Sequence, residues 1–208
     1  MGHFGQNSPM STLSQTLAFQ LKLDSRAKNI ALVTTGTLFI ALMAQVAIRL
    51  PFTPVPVTGQ TLAVLLTVAV LGSVRAIAST SLYLGLAVAG FPVLAPQTDG
   101  SHITGVQVLA MPTLGYVVGF IVAAAIIGKL ADLGYTKKLL PALALMVLGN
   151  VIIYALGFST LKVLFDTTWA NAFAWGVAPF IVGDIFKIAI AAASLRGAWY
   201  AVNRLKSL

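Results

Sequence analysis

The sequence predicts an all-α integral membrane protein that forms a bundle of six transmembrane helices. Of its 208 residues, 58% are hydrophobic and 9% are charged, whereas about a quarter of the residues in an ordinary soluble domain are charged. The mean hydropathy is +0.93. Segments of about 20 residues joined by short connections give roughly six spans in a chain of this length. This division leaves no room for a separate catalytic domain outside the membrane.

The predicted spans follow the long uncharged runs in chain order. They cover residues 30–48, 57–71, 76–94, 108–128, 139–158 and 172–195. Residues 1–29 are predicted to be a cytoplasmic leader, residues 30–196 the membrane domain and residues 197–208 a cytoplasmic tail. The leader lacks the pattern of a signal peptide. We expect residues 1–9 to come from an expression vector, with the natural start at Met10. We expect LSQTLAFQLKL to lie along the membrane surface as a short helix.

The distribution of basic residues predicts the orientation of the spans. Most of the 13 lysines and arginines fall on one side of this arrangement, which leaves Arg49 and Lys162 on the other side. By the positive-inside rule, both termini are cytoplasmic. The basic residues are spread between spans and form no continuous patch, which argues against a nucleic-acid partner. The chain has no cysteine and two histidines, so neither disulfides nor a metal site of Cys or His ligands is expected.

The three predicted outer loops are longer and more varied than the inner connections. PFTPVPV, residues 51–57, contains three prolines and predicts a stiff, extended, polyproline-like path. PQTDGSHITGVQ is polar, and STLKVLFDTTWAN mixes aromatic and polar residues. Because binding residues concentrate in such loops, recognition is expected on the outer face.

The last predicted span carries two opposite charges, Asp184 and Lys187. A spacing of three places both on one helical face, between the outer third and the middle of the span. A charge at such depth costs at least ~2.5 kcal/mol, so each side chain must face the interior or a partner. One interpretation is an ion pair that fixes helix packing. The interpretation that we favour is a pair that lines a ligand pocket and whose two members satisfy each other only partly when the pocket is empty.

Other polar residues are predicted at a similar depth. Each one alone is typical of a residue that bonds to a neighbouring helix. Together they offer amide, hydroxyl and aromatic groups, as expected of a mostly apolar pocket with a few polar contacts. They are Thr58, Gln60, Tyr83, Thr113 and Tyr116, with Asn150 in the fifth span.

Four segments carry a resemblance to a known family. PFTPVPVTGQTLAVLL, LYLGLAVAGFPVL, MPTLGYVVGF and PFIVGDIFK, in this order, resemble the BioY family of biotin-specific substrate-binding (S) components of energy-coupling factor (ECF) transporters. The resemblance implies a prokaryotic cytoplasmic-membrane protein that captures biotin from outside. It also implies that Asp184 and Lys187 contact biotin, with Gln60 and Tyr116 as neighbours. One departure is MPTLGY in place of the family's GPTGGY, so that Met111 and Leu114 replace glycines.

The resemblance further implies a transmembrane coupling subunit and a pair of cytoplasmic ATPases as partners. A docking face for the coupling subunit is predicted on the first span, at the small residues Gly36, Thr37, Ala41 and Ala44. No cofactor is expected. GFIVAAAIIGK ends in Gly-Lys but lacks the first glycine and the final Ser/Thr of a phosphate-binding loop, so ATP is expected to bind only to the partner subunits.

Three function classes remain open at this point. The first is a biotin-binding transport subunit, and the second is an S component or small transporter for a different vitamin. The third is an intramembrane enzyme or a structural subunit. An enzyme is disfavoured because the spans contain no carboxylate pair, metal cluster or activated nucleophile.

Overall fold

The computed structural model describes residues 25–206, and the surface helix predicted in the leader lies outside these residues. Within them the chain forms six α-helices, three short 3-10 helices and one pair of two-residue strands. The α-helices are α1 (Ser25–Gln45), α2 (Gln60–Val88), α3 (Leu114–Asp132), α4 (Leu139–Leu164), α5 (Trp169–Gly176) and α6 (Ile181–Lys206). The 3-10 helices are Gly105–Ala110, Tyr135–Lys137 and Ala178–Phe180. Strand β1 (Ala47–Ile48) pairs antiparallel with β2 (Val57–Thr58).

The predicted helical class is confirmed. Among the residues described, five helical stretches are long and apolar enough to cross a membrane. One of them is the whole of α2, and another, Trp169–Ala201, counts α5 and α6 together. The chain is therefore a multi-pass membrane protein by the length and composition of its helices.

Helix α2 is a hairpin of two helical arms. Gly72 has φ 76° and ψ −177°, and it interrupts the helix between residues 60–71 and 73–88. The Gln60 Nε2 atom donates to the Tyr83 hydroxyl at 2.7 Å, across 23 positions of sequence. In a continuous helix these residues would be about 34 Å apart. The two arms must therefore run antiparallel, with the reversal close to the predicted break between residues 71 and 76.

The helices alternate between two ends of the bundle. We call one the loop end, formed by residues 46–59, 89–113 and 165–180, and the other the turn end, formed by Gly72 and residues 133–138. At the turn end, the Asp132 carboxylate accepts from the backbone N–H of Ser73 at 3.0 Å and from its hydroxyl at 2.6 Å. The end of α3 thus caps the second arm of α2, which needs an acceptor for its first amide groups.

Helix α1 is the least covered candidate span, with 22% of its most apolar stretch buried. The small residues predicted to dock a partner lie mostly inside the bundle. A Cβ atom at Gly36 would be 2.7 Å from the Ser79 hydroxyl, and the Thr37 hydroxyl donates to the Ser79 carbonyl at 3.1 Å. Ala44 is fully buried and Ala41 is half-buried. The outward face of α1 instead carries other residues, among them Ala31, Thr35, Leu38 and Leu42.

The last predicted span, 172–195, differs from the structure. The helix breaks at Val177, which has φ −129° and ψ −56°, and α6 begins only at Ile181 and runs on to Lys206. Gly176 and Pro179 flank the break and account for it, because both disfavour a helix interior. Asp184 therefore lies in the first turn of α6, and its depth in the membrane stays a prediction. The N-terminal end of a helix favours a negative charge.

Candidate ligand-binding site

A cavity opens between the loop end and the adjoining turns of the helices. Its helix-borne wall comes from α2, α3, α4 and α6 together with the 3-10 turn before α6: Gln60, Thr61, Tyr116, Val117, Phe120, Tyr154, Phe180, Asp184 and Lys187. Its loop-borne wall is formed by Arg49, Pro54, Val55, Pro56, Thr58, Leu94, Ala95, Gln97, Ile103, Met111, Pro112 and Thr113. Apolar side chains thus surround a few directed polar groups, as in small-molecule sites.

The two charges of α6 meet each other in the helix-borne wall. The Lys187 Nζ atom lies 2.7 Å from Asp184 Oδ1 and donates to the Thr61 hydroxyl at 3.2 Å. The Thr61 hydroxyl donates to Asp184 Oδ1 at 3.3 Å, and the Tyr154 hydroxyl donates to Asp184 Oδ2. Both oxygens of Asp184 are engaged, but Lys187 supplies only part of this bonding, and Thr61 and Tyr154 supply the rest. The role of the pair as a ligand contact stays a prediction. Lys187 uses two of its three N–H donors in these bonds.

The first turn of α2 presents Gln60 to the cavity. Its backbone N–H donates to the Thr58 hydroxyl at 3.2 Å, and that hydroxyl donates to Gln60 Oε1 at 3.0 Å. The Gln60 Nε2 atom donates to Tyr83 at 2.7 Å. Tyr83 is fully buried and lies behind the cavity wall, so its contact orients the amide and does not reach the cavity.

Thr113 and Tyr116 lie at the start of α3, Thr113 in the loop-borne wall and Tyr116 in the helix-borne wall. Thr113 precedes the first residue of the helix, and the Tyr116 hydroxyl donates to the Gly176 carbonyl at 2.8 Å. This bond ties α3 to the break between α5 and α6. Of the seven residues predicted to bind substrate, the structure brings six to the cavity wall and places Tyr83 behind it. Their role in binding stays a prediction. Asn150, also singled out from the sequence, is buried elsewhere with its side-chain carbonyl unpaired.

The proline-rich loop does not follow the continuous extended path that was predicted. It turns at Pro51 and Phe52, and the β1–β2 pair closes it into a hairpin. The Thr53 hydroxyl explains part of the bend, because it accepts from the Val55 N–H at 3.1 Å and donates to the Trp175 carbonyl at 2.6 Å. A side-chain bond therefore fixes the loop to α5, and the prolines of the loop restrict its backbone.

The loop of residues 89–113 is attached to the end of α1. The Gln45 Nε2 atom donates to the carbonyls of Val93 and Leu94, both at 3.4 Å. The Gln45 Oε1 atom lies 3.0 Å from the His102 Nε2 atom. These contacts hold the loop-borne wall against the helices.

Four of the cavity residues that were not predicted as part of the site bear on its chemistry or shape. Thr61 and Tyr154 hold Asp184, and Arg49 and Met111 belong to the loop-borne wall. Thr61 directly follows Gln60, and this adjacency is the feature of the sequence that could have identified it as a site residue. Met111 has φ −75°, which requires no glycine. Its buried side chain occupies space that a glycine would leave open.

The site combines a carboxylate, an ammonium, a guanidinium, an amide and hydroxyls within apolar walls. Such a set suits a small molecule that has both an apolar body and polar groups that donate and accept. Within residues 25–206, no group of three or more His, Cys, Asp or Glu residues could hold a metal ion.

Comparisons with known proteins agree on one family. The model of the BioY family matches residues 11–204. The chain is 33% identical over 164 residues to "Biotin transporter BioY" of Rhizobium etli, covering 76% of this chain and 84% of that protein. It is 34% identical over 161 residues to "Biotin transporter BioY" of Thermotoga maritima, covering 77% and 90%.

The fold is similar to a solved structure titled "Crystal structure at 2.1 A of the S-component for biotin from an ECF-type ABC transporter". The TM-score is 0.66 at 20% sequence identity, over 90% of this chain and 95% of that chain. At this identity the likeness concerns the fold. With the family model matched over nearly the whole sequence, the chain belongs to the BioY family.

Proposed function

We infer that this protein is a biotin-binding S component that takes up biotin, and that it is a transport subunit and not an enzyme. The single observation that carries this inference is the Asp184–Lys187 pair, 2.7 Å apart, in the wall of the cavity at the loop end. Membership of a family whose relatives are named biotin transporters supports it.

The chemistry of biotin fits the groups around the cavity. The ureido ring has two N–H donors and one carbonyl acceptor, so it can donate to Asp184 and accept from Lys187 or from the Gln60 amide. The bicycle and thioether are apolar, and Phe120 and Phe180 supply apolar surface beside the charged pair. Binding requires the pair to exchange part of its present bonding for bonds to the ligand.

The loop end faces the exterior in this proposal, with six spans and both termini in the cytoplasm. The reversal of α2 at Gly72 supports two crossings within that element. Arg75, Lys137 and Lys138 lie at or beside the turn end, as the positive-inside rule requires of the cytoplasmic side. The membrane would be the prokaryotic cytoplasmic membrane.

The partners in this proposal are an ECF coupling subunit and a cytoplasmic ATPase pair, which bind the ATP. The outward face of α1, with Ala31, Thr35, Leu38 and Leu42, would dock the coupling subunit in place of the small residues predicted at first. Its support is the low coverage of α1 and the exposure of Leu38 and Leu42, at 55% and 67%. Small residues beside such side chains allow close helix contact.

The test is direct binding by the purified protein in detergent. Mass spectrometry of the purified material should find bound biotin, and titration of ligand-free protein should give one tight site per chain for biotin. A panel of other water-soluble vitamins should bind at least about a hundredfold more weakly, a difference of ~2.7 kcal/mol. If the protein prefers another vitamin, that vitamin is the ligand of the site. If it binds none of the vitamins, the proposal is overturned.

A further inference from the structure

Arg49 is the cation of the loop-borne wall. It follows β1 directly, is half-buried and borders the cavity. Its Nε and Nη2 atoms both donate to the Pro96 carbonyl, at 2.9 and 2.8 Å. Within residues 25–206 no bond is found to its Nη1 atom. The guanidinium is thus held in place at the cavity with donors to spare.

The charges around the cavity do not balance. Its wall contains two cations, Arg49 and Lys187, and one carboxylate, Asp184. The charge of Lys187 is compensated by Asp184. Among the residues described, no carboxylate lies within 4.0 Å of Arg49. Burial lowers the pKa of Arg49 from its ordinary value, and the charge of Asp99 at a longer distance raises it. The cavity wall therefore holds one positive charge that no carboxylate of the described residues contacts directly, and Asp99 offsets it only from a longer distance.

An anionic group of a ligand would supply the missing charge. A carboxylate that meets a guanidinium forms short, charge-assisted hydrogen bonds, frequently two in parallel. The helix-borne wall offers the opposite chemistry, because Asp184 is an acceptor for N–H groups. The two walls thus suit two different ends of one molecule.

We propose that Arg49 binds the carboxylate of the valerate tail of biotin, with the ureido ring directed to Asp184 and Lys187. This proposal rests on the proposed function, because it assigns an orientation to the same ligand. In this orientation the site recognises the free carboxylate of biotin as well as its ring. A ligand with the same ring and a neutral tail would leave the guanidinium without its counter-charge.

The alternative role of Arg49 is purely structural, since its bonds to Pro96 also hold the loop in place. Binding measurements in which both the protein and the ligand are varied distinguish the two roles. Biotin and the neutral biotinamide are titrated against the wild type, Arg49→Gln and Arg49→Lys, with Lys162→Gln as a matched control. Lys162 is a cation near the loop end that does not border the cavity.

The wild type should prefer biotin to biotinamide by about tenfold, and this preference should disappear in Arg49→Gln while biotinamide affinity changes by less than about twofold. Arg49→Lys should keep part of the preference, because it keeps the charge. Lys162→Gln should bind both ligands like the wild type.

Two results would overturn the assignment. If Arg49→Gln loses equal affinity for biotin and biotinamide, Arg49 only holds the loop in place. If the preference for biotin is unchanged, Arg49 does not contact the tail. If the wild type binds neither ligand, the proposed function itself fails. If the wild type binds biotin but the variants show no difference in preference, only the role of Arg49 fails.

Discussion

The two ends of the bundle each hold a carboxylate that is hydrogen-bonded to a neighbouring helix, yet the two carboxylates are bonded in different ways. At the turn end, one oxygen of Asp132 accepts from the backbone N–H and the hydroxyl of Ser73. At the loop end, all the partners of Asp184 found within residues 25–206 are side chains, namely Lys187, Thr61 and Tyr154.

This difference separates a structural carboxylate from one that is suited to bind a ligand. A backbone N–H at a helix start has no partner within its own helix, so Asp132 cannot release it without loss of stability. Side-chain partners can rotate and accept a new neighbour, so the network around Asp184 can rearrange when a ligand arrives. The partners of a buried carboxylate are therefore more informative about its role than its burial.

Removal of the charged pair of α6 tests the difference between the two carboxylates most directly. Asp184→Asn and Lys187→Met should each weaken biotin binding by about a hundredfold, ~3 kcal/mol, because each loses a charge-assisted bond to the ligand. Each single variant should also unfold at a lower temperature, since it leaves the other charge buried without its partner. Titration and thermal unfolding in detergent measure the two effects.

The double variant separates stability from binding. Asp184→Asn with Lys187→Met removes both charges, so it should regain stability relative to the single variants. Its biotin affinity should stay as low as theirs. Recovery of binding in the double variant would show that the pair only holds the helices together.

The second test removes the carboxylate of the turn end. Asp132→Ala should lower the free energy of unfolding by about 1–2 kcal/mol, because it leaves the first N–H of an arm of α2 without its acceptor. Biotin affinity should not change, since the cavity is at the other end. A loss of affinity in a folded Asp132→Ala protein would contradict the separation of the two ends.

Asp99 offers a matched control for this variant. It accepts from the N–H and the hydroxyl of Ser101, at 2.9 and 2.7 Å, in an exposed loop. These bonds lower the pKa of its carboxyl group. Because water can replace the acceptor there, Asp99→Ala should destabilise the protein less than Asp132→Ala does.

The smallest expected effect concerns Tyr154. Tyr154→Phe removes one hydroxyl from Asp184 and keeps the aromatic ring beside the cavity. Biotin affinity should fall by about three- to tenfold, ~1 kcal/mol, because the carboxylate loses one of the bonds that orient it. Ser159→Ala is a suitable control, since that hydroxyl bonds to the backbone of its own helix. A change as large as that of Asp184→Asn would instead make Tyr154 a principal ligand contact.

The sequence predicted the helices and the polar cluster, because both depend on local patterns. Long uncharged runs identify spans, and the spacing of Asp184 and Lys187 fixes their common face. The inward face of α1 could not be predicted, because that helix is apolar on every side and periodicity cannot distinguish its faces. For this reason the sequence does not distinguish Gly36 and Thr37, which contact Ser79, from the residues on the outward face.

The parts of the site that were missed depend on tertiary placement. Arg49 reaches the cavity only because its loop folds back and is held at the Pro96 carbonyl. Tyr154 reaches Asp184 from another helix, which no spacing within one segment reveals. The break before α6 did have a local signal in Gly176 and Pro179, but the apolar run continues through both.

Four side chains at the loop end donate to main-chain oxygens, an acceptor that every amino acid possesses. Arg49, Gln45, Thr53 and Tyr116 donate to the main-chain oxygens of Pro96, Val93, Leu94, Trp175 and Gly176. Substitution at Pro96 or Val93 leaves the accepting oxygen in place, so these positions can change their side chains over evolutionary time without losing the attachment. Gly176 is the exception, because a Cβ atom there would overlap the Tyr116 hydroxyl. Affinity for the vitamin can thus be retuned there at little risk to the architecture.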